Sequence, residues 1–173
     1  MLLKVVKIHL KLPWVGGIEG MWEPDDVEAK AAWELYVELI TRVSIVELKP
    51  GEGLLREALD SLHSLFRTTR EILRHYGPAV GQPKGRGNLS FGFLSVAVVN
   101  TVLRPVLSKW HPLLADYEST KPAGLSPFAH ERGWDKAPEL RGILNETRET
   151  LTRYAGILAE VAGVPSSLLS PCT

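Results

Sequence analysis

Apolar and polar residues alternate near the start of the chain. Ile8, Leu10 and Leu12 fall on one side, His9 and Lys11 on the other. That two-residue period marks a half-buried strand. "PWVGGIEG" then breaks the pattern with three glycines and a proline. A lone strand leaves its backbone ladder unpaired. The arm at residues 4–12 is therefore expected to pair with a short second strand around residues 15–18, or with another chain.

The period then becomes helical. In "EPDDVEAKAAWELYVELITRV", Asp25 or Asp26 can cap the free amides, and Glu28 suits the positive end of the helix dipole. Trp33, Tyr36, Val37, Ile40 and Val43 recur at helical spacing and predict the buried stripe. The second helix has the most regular stripe: Leu55, Ala58, Leu59, Leu62, Leu65, Phe66, Thr69, Leu73 and Tyr76, ended by Gly77 and Pro78. "GPAVGQPKGRGN" reads as a long flexible connection. A third helix is expected from about Ser90, apolar nearly all round at first and bent at Pro105. "STKPAGLSPFAHERGWDKAPE" reads as a second long loop. The last helix is expected from about Pro138, with a stripe of Leu140, Leu144, Leu151, Tyr154, Leu158 and Val161, and with Gly163 and Pro165 at its end.

Four amphipathic helices bury their stripes most economically against one another. The expected fold is mainly α: an antiparallel four-helix bundle with a short N-terminal strand or extended arm and two long loops. One domain accounts for residues 1–173, with the arm at 1–24, the bundle at 25–165 and a tail at 166–173. At 173 residues the chain can bury a core without a covalent staple.

Twenty basic residues balance twenty acidic ones, which disfavours a dedicated electrostatic nucleic-acid binder while leaving room for a local patch. The single cysteine, Cys172, cannot form an internal disulfide and fits a reducing, cytoplasmic setting. Lys4, Lys7 and Lys11 interrupt what would be the core of a signal peptide. The most apolar run, at residues 91–103, is shorter than a bilayer requires and contains Asn100.

No metal or cofactor is expected. A di-iron bundle needs paired Glu-x-x-His motifs; the nearest approach is Asp60-Ser-Leu-His63. "GQPKGRGN" lacks the order of a phosphate-binding loop. Arg67, Arg70 and Arg74 share one exposed face at the end of the second helix, and His75, Lys84 and Arg86 follow nearby. These six residues form the candidate binding site, suited to phosphate, RNA or a carboxylate-rich protein surface, beside the plainer reading of cations matching a helix's negative pole.

"NTVLRPVLSKWHPLL" carries the other candidate chemistry. Arg104 and His111 are separated by six residues. The spacing resembles the Arg-x4–6-His signature of HEPN-type ribonucleases, which are small helical bundles that cut RNA without a metal. That resemblance implies an arginine stabilising the phosphorane and a histidine moving the proton. Arg56/His63 and Arg70/His75 satisfy the same spacing, and Pro105 stands where the family usually has a polar residue. The plainer reading is that Asn100, Arg104, Ser108 and His111 form the one polar strip of a core helix kinked by its prolines. Trp33 and Trp110 are expected in the core; Trp14, Trp22 and Trp134 lie in loops, as clamps on the bundle or as anchors for a partner. The preferred function is a non-catalytic interaction or regulatory module with a protein or other acidic partner, self-association included. The alternative is a ribonuclease using Arg104 and His111, or Arg70 and His75.

Overall fold

The computed structural model describes residues 4–42, 47–165 and 168. The chain is mainly helical, with a short two-stranded antiparallel sheet at its N-terminus. Strand β1 (Val6–Leu12) pairs with β2 (Gly16–Trp22) through a tight turn at residues 13–15. The alternation extends to Val6: Val6, Ile8, Leu10 and Leu12 are all buried. The expected second strand exists but runs further than residues 15–18, through Gly20 to Trp22.

Glycines permit a close approach. A Cβ on Gly20 would lie 2.6 Å from Asn88 Oδ1, and one on Gly87 would lie 2.9 Å from the Glu23 backbone nitrogen. The connection at residues 77–88 is thus fastened to β2 instead of ranging freely. Met21 N donates to Asn88 Oδ1 at 2.8 Å, and Met21 O accepts from the amides of Asn88 and Leu89 at 2.9 and 3.0 Å.

The helices are α1 (Asp26–Ile40), α2 (Leu55–Tyr76), α3 (Phe91–Val98), α4 (Arg104–Ser119), α5 (Pro127–Arg132) and α6 (Ala137–Ala162). Helix α1 lies on α6 and α2, α2 also contacts α4 and α6, and β1 lies on α6. Helices α2 and α6 bury their predicted stripes. In α2, Phe66, Leu73 and Tyr76 are only half-buried, and Ile72 joins the core.

Helix α1 is rotated from expectation. Its buried face is Glu28, Ala31, Ala32, Leu35, Tyr36 and Leu39, while Trp33 is 43% exposed. Val43 lies outside the described residues. Glu28 sets the rotation. It is fully buried; one carboxylate oxygen accepts from Trp22 Nε1 at 3.2 Å and from Phe91 N at 2.9 Å. The other accepts from Asp25 N at 3.3 Å and meets Lys84 Nζ at 3.2 Å. A residue held so firmly to β2 and α3 fixes which side of α1 faces inward: positions 28, 32, 35 and 39 follow at helical spacing.

Two further elements depart from the sequence reading. The second long loop contains α5, started by Ser126, whose hydroxyl accepts from Ala129 N at 3.1 Å, with Pro127 in the first turn. The third helix widens before its proline. Val99–Leu103 forms a π-turn between α3 and α4, with Arg104 N bonded to Val99 O. Pro105 has no N–H, and its ring would strike the carbonyl of Thr101 in a regular helix. The extra residue in the turn relieves that conflict and keeps helical backbone from Phe91 to Ser119, 29 residues. By length and composition this run could cross a bilayer, yet half of its most apolar stretch is buried within the protein.

Replacing Glu28 with alanine leaves the buried N–H groups of Trp22 and Phe91 without an acceptor, while Lys84 keeps Asp25 and the Ala79 carbonyl. We expect Glu28→Ala to cost about 2–6 kcal/mol, about 1–3 kcal/mol for each unsatisfied N–H, measured by urea titration. Asp25 tests the same corner by pH. Burial raises its pKa, but the Glu28 amide and Lys84 outweigh that effect and hold it below the ordinary 3.8. A lowered folded-state pKa contributes stability above 3.8 that is lost as pH falls through the lowered value. Asp25→Asn should therefore flatten the acid limb of the stability curve; a limb as steep as that of the wild type would count against this contact.

Candidate binding face on helices α2 to α4

Helix α2 runs antiparallel to the α3–α4 helix. The start of α2 meets the end of α4, and its end meets α3. Three different environments line up along this face.

At the start of α2, Arg56 joins the two helices. Its Nε and Nη2 donate to the two carboxylate oxygens of Glu118, each at 2.9 Å, and Nη1 lies 3.6 Å from Asp60 Oδ1. Nη1 also reaches His111 Nδ1 at 2.8 Å. Arginine has only donors, so Nδ1 accepts and the His111 proton sits on Nε2, 3.7 Å from Asp60. His63 meets the same ring edge to face. The hydrogen bond with Glu118 raises the Arg56 pKa, against the opposing effect of burial. Glu131, nearly fully buried on α5, completes the corner by accepting from Leu55 N at 2.7 Å and Arg56 N at 3.2 Å. It supplies the cap that Leu54, an apolar residue in the N-cap position, cannot.

In the middle, Arg67, Arg70 and Arg74 are exposed along α2. Arg104 comes up from α4, its guanidinium 5.6 Å from the centre of the Phe66 ring and its Nη2 3.0 Å from Asn100 Oδ1. Phe66 precedes Arg67 and lies one turn before Arg70, so the four arginines occupy one stretch of surface. Among the described residues none of the four has a carboxylate within 4.0 Å.

At the end of α2 the surface turns apolar. A groove of about 550 Å³ opens between α2 and α3, lined by Leu73, Gly77, Val80, Phe93, Val96 and Ala97, with Asn100 and Thr101 at the end nearest Arg104. Phe93 and Val96 are 52% and 46% exposed.

The sequence-derived site residues thus separate. Arg67, Arg70 and Arg74 stay together and gain Arg104. His75 is exposed, stands edge-on to Tyr76 and lines a different groove beside Trp33. Lys84 is engaged with Asp25 at 3.1 Å, Glu28 and the Ala79 carbonyl. Arg86 is exposed, its backbone N donating to Glu23 Oε2 at 2.9 Å. Arg104 and His111 do not meet. His111 instead faces Arg56, a pairing between two helices that no spacing within one helix could indicate. Glu118 and Glu131 have no signal in the sequence beyond the apolar Leu54 at the start of α2, which leaves its first amides in need of an acid, and Asp60 stands out only in Asp60-Ser-Leu-His63.

Of the tryptophans, only Trp33 departs from expectation. Trp22, Trp110 and Trp134 are buried, Trp134 edge-on to Trp110 and stacked on Tyr117; Trp14 and Trp33 are exposed. Among the described residues no group of three His, Cys, Asp or Glu side chains is placed to hold a metal ion. Comparison with known proteins returns no family model, curated protein or solved structure that matches the chain.

Two arginines on one face should behave oppositely when truncated. Arg56→Ala removes charge-assisted bonds between helices and should cost about 1.5–3 kcal/mol. Arg104→Ala removes an exposed group and should stay within about 0.5 kcal/mol. Thermal melts of both variants check the difference.

Proposed function

We propose that the chain is a non-catalytic interaction module that binds an acidic partner through the α2–α4 face, on a scaffold of four antiparallel helices. The bundle reading rests on the mutual contacts of α1, α2, α4 and α6. The functional reading rests on one observation. Arg67, Arg70, Arg74 and Arg104 share a surface and lack carboxylate partners among the described residues, whereas Arg56 and Lys84 are paired inside the fold. Unpaired like charges held together repel one another, and a ligand of opposite charge relieves that repulsion. The single cysteine suits a reducing, cytoplasmic setting for such a module.

One observation favours the ribonuclease reading: Arg56 and His111 converge at 2.8 Å. Against it, Glu118 and Asp60 neutralise that arginine and would repel a substrate phosphate. An arginine held by two carboxylates stabilises no developing phosphorane charge.

Binding to poly-glutamate and to mixed single-stranded RNA at low salt tests the proposal. We expect binding that weakens as salt rises and falls about tenfold in Arg70→Ala/Arg74→Ala with helicity unchanged. The wild type should leave the RNA intact with and without chelator. Metal-independent cleavage that disappears in folded His111→Ala would establish the ribonuclease instead.

A further inference from the structure

We propose that the groove between α2 and α3 is an anchor site for the apolar side chains of an acidic amphipathic helix in a partner protein. This rests on the reading of the neighbouring arginines as an acidic-partner surface, and it specifies the partner's class.

The groove is built into the backbone. Its floor is the short turn Pro78–Gly81, with Val80 buried beneath. Gly92 brings α3 against that turn: a Cβ there would lie 2.8 Å from Gly81 Cα and 3.0 Å from Val80 O. Gly77 and Gly81 carry no side chain to fill the space, and a Cβ on either would meet nothing within 4 Å. The cleft therefore stays open between Leu73 on one wall and Phe93 and Val96 on the other.

Its chemistry selects side chains over bases. The walls are aliphatic apart from Phe93, so there is no paired aromatic platform for stacking. The two polar residues at its end are already engaged. Asn100 Oδ1 accepts from Arg104, and the Thr101 hydroxyl donates to the Ala97 carbonyl. Only the Asn100 amide N–H groups remain to read a base edge, while apolar side chains would cover surface now in contact with water.

Its length and surroundings fit a helix. From Gly92 to Thr101 the α3 wall rises about 14 Å, enough for apolar anchors at i, i+3 or i+4, and i+7 of a docked helix. Arg70 and Arg74 flank one side and Arg104 closes the end. Acidic residues beside the apolar stripe would meet guanidiniums that have no carboxylate within 4.0 Å among the described residues. Apolar anchors flanked by charge are how such grooves combine affinity with orientation.

The test uses the full chain and a labelled synthetic helix about 20 residues long, with leucines at the anchor spacing and glutamates on both flanks. A control peptide has the same charge with serine for leucine. Fluorescence anisotropy is measured for the wild type, Phe93→Ser/Val96→Ser and Arg70→Ala/Arg74→Ala. Competition is run with single-stranded RNA and with vesicles of mixed phosphatidylcholine and phosphatidylserine. Phe93 and Val96 are half-exposed, so their removal should leave the melting curve in place. We expect the leucine peptide to bind about tenfold more tightly than its control, and both double variants to lose about that factor. If only the arginine variant weakens binding, or the control binds equally, the anchor site is overturned and the acidic-partner reading stands. If neither variant changes binding, both fall. Dependence on Phe93 and Val96 seen only with vesicles would make the groove a membrane contact and would also overturn the proposal.

Discussion

The buried carboxylate of Glu28 is the contact on which the remaining architecture turns. A charge fully removed from water is tolerable only when its oxygens are filled. Here they are filled from four parts of the chain: the indole of Trp22 in the hairpin, the Asp25 amide at the start of α1, the Phe91 amide at the start of α3, and Lys84 in the connection. Each of those elements is placed by the same side chain. The hairpin cannot slide without stranding Trp22, and α1 cannot turn without pulling Glu28 from its donors. The glycines of β2 and the connection answer the same demand, since they let two backbones come within contact distance beside it.

Glu131 applies the same logic at the opposite end of α2. It lies on a helix of only six residues, yet it fills the first amides of a 22-residue helix that has no cap of its own. Arg56 then ties that helix start to Glu118. The start of α2 and its pairing with the end of α4 therefore rest on two acids distant in the sequence. The balanced net charge conceals this division of labour. Some cations are consumed inside the fold, and the arginines left on the α2–α4 surface carry a local charge that the total does not reveal.

The π-turn connects fold to surface. It absorbs Pro105 while keeping Val99, Val102, Leu103, Val106 and Trp110 directed inward. Asn100 and Arg104 are turned outward in the same step, toward Phe66 and the arginines of α2. The strip that looked out of place in an apolar helix becomes the rim of an apolar groove. Its histidine does not join that rim, because the Arg56 network one level away holds it.

Whatever depended on near neighbours could be read directly from the sequence. The stripes of α2 and α6 follow from their 3.6-residue period, β1 from its alternation, and the helix boundaries at Asp25, Gly77 and Gly163 from capping chemistry that acts within one turn. The arginine row of α2 was visible for the same reason, as three residues on one helix. Other features required a distant partner. Trp33 has the residue type of a core position, but the rotation of α1 was set by donors 6 and 63 residues from Glu28. The extension of β2 beyond residue 18 was hidden in glycines because their role is close approach to residues near Asn88. Arg104 joined the arginine row, and His111 left Arg104 for Arg56, through contacts between helices. Periodicity fixes which side of a helix is apolar. Only the contacts between helices decide which polar residues are paired inside the fold and which remain on its surface for something else to bind.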